Sequence, residues 1–277
     1  MPICFADIAQ SLAVWPEIFI VDLLRYLIPA SFAFVVLWGL LRHRLSRRKV
    51  QAEFPHRRHL WREFRYSLLT VLIFSVNGIL VMASIDSGHS MYYAEIADYG
   101  WLYWGFSLVA IIVLHDAYFY WTHRMMHHPR LFKFFHRLHH RSHNPSPWAA
   151  YALAPAEAAV HAVFLTMTVW VMPLHGSVIY IFLIHMILRN VLGHTGFELF
   201  PRGFTRLPLA GILTTVTHHD MHHSNPRGNF ALYFTWWDRI IGTEHADYSG
   251  NFERVTDCPA CRIAKNELTP SPQNGAE

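Results

Sequence analysis

Between His123 and His143 the chain places seven histidines in 21 residues and no Asp or Glu. A second cluster, His218-His219-Asp220-Met221-His222-His223, repeats its inner spacing: HRLHH at 136 to 140 and HDMHH at 219 to 223. Neutral imidazole is a ligand for transition metals; crowded together without a cation, so many rings would stand idle or repel one another on protonation. The two clusters are therefore read as halves of one metal site.

On an α-helix, residues three, four and seven apart share a face. That condition joins His123 with His127, His136 with His139, His140 and His143, and His219 with His222 and His223. It sets His128 about 100° round from His127 and His218 about 100° back from His219, so neither is expected to be a ligand. Isolated histidines such as His56, His89, His161 and His185 show no such pattern and read as structural. About nine well-placed imidazoles, with no cysteine among them, exceed the four ligands of a structural zinc site and suit two metal ions. Ligand type alone does not choose among Zn, Cu, Fe and Ni. Soluble di-iron bundles use Glu and Glu-x-x-His, whereas residues 122 to 156 hold no carboxylate.

Acids elsewhere have a different use. A ligating imidazole donates its outer N–H to a carboxylate or carbonyl, which fixes its orientation. Asp116 and Glu198 are the expected acids for that role, with Asp220 and Asp238 also available. Two rival readings of the clusters are a metal transport or sequestration protein and a membrane zinc hydrolase. The first calls for ligands along a path through the bilayer, yet only Asp116, Glu157, His161 and His185 lie deeper than the clusters. The second calls for a metal-bound water and a general base such as Glu198.

The elements that hold these residues are apolar. Of 277 residues, 53% are hydrophobic and only 15% charged, which excludes an ordinary soluble domain. Ten Trp, twelve Tyr and twenty Phe suit a lipid-facing surface with interfacial anchors. The formal charge of +4 does not point to nucleic acid, because the basic residues flank apolar runs. Three cysteines give no disulfide framework, and the lone Cys258-Pro259-Ala260-Cys261 reads as part of a reduced, polar tail. No cleaved signal is expected at the N-terminus.

Candidate spans run over residues 17–41, 66–85 and 101–121, followed by 148–172 and 176–188 around a tight turn at Pro173-Leu174-His175. The fifth is short, so the last two form a hairpin that crosses the bilayer or dips deeply into it. Residues 42 to 65 hold nine Lys or Arg against two Glu, whereas 86 to 100 hold Asp86, Glu95 and Asp98 with no basic residue. The positive-inside rule then puts the first loop in the cytoplasm and the second outside. Counting forward, every histidine cluster lands on the cytoplasmic face. The expected fold is all-α: a polytopic membrane bundle of about four to five membrane helices with a cytoplasmic helical cap carrying the histidines. Its divisions are an anchor region at 1–113, a catalytic domain at 114–250 and a flexible tail at 251–277.

Asp116, Tyr120-Trp121, His123-Arg124 and His127 come first, then HRLHH with Asn144-Pro145, then GHTGFE at 193 to 198. HxxHH with Asn229-Phe230 and WDRIIGT at 237 to 243 complete a series that resembles the fatty acid hydroxylase / sterol desaturase superfamily of membrane di-iron enzymes. The resemblance covers residues 114 to 245. It implies an oxidoreductase that hydroxylates or desaturates a lipid, using O2, two iron ions (which zinc can replace) and electrons from a separate carrier. That carrier would be cytochrome b5-like or ferredoxin- or rubredoxin-like. Carried over residue by residue, the ligands would be His123, His127, His136, His139, His140, His194, His219, His222 and His223. His143 is kept as a further ligand candidate on its helix face. Asn190 stands where some members carry another histidine. Ala154-Pro155-Ala156-Glu157 replaces the His-Pro-x-Glu of many sterol-modifying members, so no narrow sterol assignment is implied. The chain has no Gly-rich nucleotide fingerprint and no haem motif, which agrees with an external electron donor. Its brevity points to a bacterial inner membrane rather than the endoplasmic reticulum.

Overall fold

The computed structural model describes residue 10 and residues 12–257; Cys258 and Cys261 lie outside the described residues. The chain is a helical membrane bundle, and four of its helical segments are long and apolar enough to span a bilayer. Helix α1 (Trp15–Ala33) continues as a π-helical turn over Phe34–Leu40. Helix α2 is Arg57–Asp86, α3 is Gly100–Met126 and α6 is Gly176–Gly193. Each overlaps a span expected from hydropathy. Helix α2 starts nine residues before its apolar stretch, because the basic run Arg57 to Arg65 continues the helix into the polar region.

The expected span at 148–172 differs. Residues Pro147–Tyr151 form a 3-10 turn, and the α-helix α5 occupies only Pro155–Val171. Pro155 explains the late start: its ring drives Ala154 into extended backbone (φ −68°, ψ 148°) and its own missing N–H suits the first helical position. At 17 residues α5 rises about 26 Å, less than the hydrocarbon core. The connection after it is more than a turn: Leu174–His175 pairs in parallel with Tyr92–Tyr93, tying the hairpin to the loop between α2 and α3.

Polar contacts fix the apolar helices against each other. Asn77 of α2 donates to the Ala162 carbonyl at 3.0 Å and accepts from Thr166 at 2.8 Å, bridging to α5. Tyr26 of α1 stacks on Tyr151 (centroids 5.4 Å) and donates to the Trp148 carbonyl. The Trp38 indole donates to the Thr195 carbonyl at 2.8 Å, bringing the end of the first span beside His194.

Beyond the spans lie α4 (Pro129–Phe135), α7 (Val216–Ser224), α8 (Trp236–Ile241) and α9 (Tyr248–Thr256). The HRLHH run is not the helix its spacing predicts. Helix α4 stops at Phe135, His136 is its C-cap (φ −124°), and His139–Arg141 form a 3-10 turn. With almost no apolar residue between 136 and 143 there is no helix face to bury, and histidine's own helix propensity is low.

Candidate metal centre

The nine histidines of the expected ligand set gather into two groups. His123, His127, His136, His140 and His222 form one; His139, His194, His219 and His223 form the other. Within each group one nitrogen per ring lies within 4.8 Å of all the rest. Each HxxHH run is divided between them. HRLHH sends His136 and His140 to the first group and His139 to the second; HDMHH sends His222 to the first and His219 and His223 to the second. The groups abut, with the His140 and His223 rings 5.2 Å apart.

Orientation comes from the outer nitrogens. His123 Nδ1 lies 2.7 Å from the Phe230 carbonyl, His222 Nδ1 2.7 Å from the Gly228 carbonyl, and His194 Nδ1 2.7 Å from the Asn190 carbonyl. His136 Nδ1 lies 2.6 Å from Glu157 Oε1. A carbonyl oxygen only accepts, so Nδ1 of His123, His194 and His222 carries the proton and Nε2 of each carries a bare lone pair. Those lone pairs meet other ring nitrogens. In the first group Nε2 separations are 2.9 Å for His123–His136, 3.3 Å for His123–His127, 3.2 Å for His127–His140 and 3.0 Å for His140–His222. In the second they are 3.1 to 3.2 Å among His194, His219 and His223.

With these three nitrogens bare, no placement of protons lets every close pair in either group hydrogen-bond, whereas a cation about 2.1 Å from each would hold neighbouring donors roughly 3.0 Å apart in octahedral and 3.4 Å in tetrahedral geometry. The residues present fit two metal ions. Burial, reinforced by neighbouring imidazoles, holds His136, His139, His219, His222 and His223 well below the usual imidazole range. Burial lowers His194 to about 4. The rings are therefore neutral and available as ligands at physiological pH.

Other expected residues take different places. His143 is exposed, and it is its backbone carbonyl that accepts, from Gln51. The break after Phe135 removes it from the face it would share with His136. Asn190 lines the cavity beside the second group, but its side-chain amide donates to the Ala150 carbonyl at 2.7 Å; its backbone is what orients His194. His128 is exposed and its side chain caps α4, while His218 is buried 3.5 Å from Asp238.

Neither Asp116 nor Glu198 touches a histidine of the two groups through the hydrogen bonds it makes. Asp116 accepts from the Tyr233 and Phe234 amides and from the Trp236 indole, so its buried charge clamps the loop after α7. Glu198 accepts from the Thr217 amide and hydroxyl and from the Phe200 amide, fixing the first turn of α7. Both act one step further from the metal positions than the sequence implies. Asp238 binds the Phe230 and Ala231 amides and thereby places the carbonyl that holds His123, and Asp220 pairs with Gln51. The acid that does reach a ring of the two groups is Glu157. It stands in the first turn of α5, and its signals in the sequence were a lone carboxylate opening an apolar helix and its place at the Glu of the His-Pro-x-Glu run.

An apolar approach leads to the groups. A cavity lined by Phe119, Tyr151, Leu153 and Met186 reaches His123, His136, His139 and His194. Phe74, His115, His161 and Met186 are shared with a second cavity of about 360 Å³ between α1, α2, α5 and α6.

Fold and site define a class: a helical membrane protein that gathers nine imidazoles into two metal-competent clusters at the end of an apolar cavity. Residues 108–243 match the family model for fatty acid hydroxylases. Over this stretch, just under half of the chain, the sequence is similar to that family and to the sterol desaturases of the same superfamily. It is 31% identical over 159 residues to a Delta(7)-sterol 5(6)-desaturase of Gibberella zeae, covering 57% of this chain and 48% of the relative. It is 30% identical over 144 residues to methylsterol monooxygenase 1 of Rattus norvegicus (51% and 48%) and 32% identical over 160 residues to lathosterol oxidase of Mus musculus (56% and 51%). The chain thus spans about half the length of these relatives. No solved structure matches it.

Proposed function

We propose that the chain is a di-iron oxidoreductase that uses O2 and externally supplied electrons to hydroxylate or desaturate a membrane lipid. The observation that carries this reading is the arrangement of the nine imidazoles: two converging sets of ring nitrogens, with His123, His136, His194 and His222 oriented from behind, at the inner end of an apolar cavity. The relatives named as sterol desaturase, methylsterol monooxygenase and lathosterol oxidase support a lipid, sterol-like substrate. Iron, when bound by His123, His127, His136, His140 and His222 and by His139, His194, His219 and His223, supplies activation of O2 for attack on an unactivated C–H bond.

The protein's own work is positioning. Gly228, Phe230 and Asn190 carbonyls and Glu157 hold ligand rings in one tautomer and one orientation. Phe119, Leu153 and Met186 line the approach with apolar surface, which excludes water from the reacting position. Exposed Arg130, Lys133, Arg137 and Arg141 surround the polar side of the site and suit an acidic electron carrier. By the positive-inside rule this side is cytoplasmic.

The test is anaerobic purification with metal analysis, followed by lipid profiling of cells with and without the gene. Two iron ions per chain and a lipid change requiring both O2 and reductant are expected. Fewer than two metals, or activity with zinc and no reductant, would refute the reading.

A further inference from the structure

Arg25 is a charged residue in an apolar span, and its surroundings leave it half satisfied. Its side chain is only 7% exposed, and Nη2 lies 2.6 Å from Asp22 Oδ1, one turn back on α1. Nε and Nη1 are buried and have no hydrogen-bond partner. Buried donors without partners are rare, and at bilayer depth they are costly, so a guanidinium held this way is aimed at something. What it faces is known: Arg25 and Asp22 both line the 360 Å³ cavity that runs on, past Phe74, His115 and Met186, to the histidine clusters. Arg25 also lines the lipid-facing groove between α1 and α6, so it stands where the interior cavity meets the bilayer. Tyr151, stacked on Tyr26 beside Arg25 in sequence, has a buried hydroxyl without a partner and faces the inner cavity.

The charge balance selects the ligand. The pair is neutral as a unit and offers free N–H donors next to a carboxylate acceptor. A hydroxyl can accept from Arg25 and donate to Asp22 at the same time. A fatty acid carboxylate would instead meet Asp22, with Glu17 as a second negative charge lining the cavity. We propose that Asp22 and Arg25, assisted by the Tyr151 hydroxyl, bind the hydroxyl head of an uncharged, sterol-like lipid alcohol whose apolar body fills the cavity toward the histidines. This rests on the reading of the cavity as the approach of a sterol-like substrate, and it adds which residues recognise the hydroxyl head and discriminate against a carboxylate.

The experiment measures binding without turnover. The full-length, metal-loaded chain in phosphatidylcholine nanodiscs is equilibrated with the fluorescent sterol dehydroergosterol. Cholesterol, 5α-cholestane (the same skeleton without the hydroxyl) and oleate are then compared as competitors. Cholesterol should displace the probe about tenfold or more better than cholestane, as one hydrogen bond to a charged group warrants. Oleate should do no better than cholestane. In Arg25→Met and in the size-conserving Asp22→Asn, cholesterol should fall to the level of cholestane while cholestane itself is unchanged. Equal displacement by cholesterol and cholestane in the unmutated chain, preference for oleate, or no saturable sterol binding would overturn the proposal, and none of these needs a variant to fold. A chain that binds sterol alcohols with this preference but holds fewer than two irons would leave this inference standing and refute the reading above.

Discussion

At the scale of single residues, metal affinity rests on which nitrogen of each ring is free. His139→Ala and His222→Ala remove a ligand from different groups, and each should abolish activity and lower bound metal, whereas His128→Ala should keep most activity because that ring is exposed and caps α4. Equal loss in all three would mean that the clusters are not the reacting centre. Glu157→Gln keeps the size of the side chain but replaces the carboxylate facing His136 Nδ1. It should cost about 10- to 100-fold in activity or metal affinity, read by titrating iron into the apo-protein. The identities of the nine histidines were legible in the chain, since residue type and spacing betray an unusual local density. The pairing of Glu157 with His136 was not, because the two are 21 positions apart and only the fold brings them together.

At the scale of elements, the polar side of the bundle is held by acids that bind backbone and by one lysine that binds a side-chain amide. Asp116→Ala would strand three N–H donors of the 233 to 236 segment, the Tyr233 amide buried and the other two half-buried, at up to about 1–3 kcal/mol each. A fall of several kcal/mol in stability is expected, visible as a lowered apparent Tm with loss of metal. Lys49 is buried, donates to Asn144 at 3.0 Å and lies 5.4 Å from the Trp38 ring centre. Burial lowers it to about 8 from 10.5, partly opposed by Asp220. Between those values the unfolded chain binds the extra proton, so stability should rise as pH increases from about 8 to 10.5. The slope of apparent Tm against pH over that window should be smaller in Lys49→Met; an unchanged slope would mean that Lys49 does not titrate there. The long spans were readable because twenty apolar residues leave few alternatives. The HRLHH turn was not, since helical periodicity says nothing about where a short polar helix stops; the late start of α5 had its signal in Pro155, which a count of apolar residues passes over.

For the molecule as a whole, the arrangement places an apolar approach on one side of the histidines and a basic polar surface on the other. Ala162 lines the cavity between α2 and α5. Ala162→Trp should fill part of it, raising KM or shifting the lipid product while leaving two irons bound; unchanged lipid kinetics would show that the substrate takes another route. Hydropathy and charge showed a bundle with its histidines at one rim. The cavity was invisible to them, because it depends on which small and large side chains face each other across four helices.

The division of each HxxHH run also sets an order for biosynthesis. As the chain leaves the ribosome, residues up to 194 supply four of the five rings of the first group but only two of the four in the second. The first set is complete only at His222 and the second only at His223. Stable metal capture therefore belongs to the finished chain, after the last membrane segment has been inserted. A truncation between 195 and 218 should yield an inserted protein that cannot retain its full metal complement.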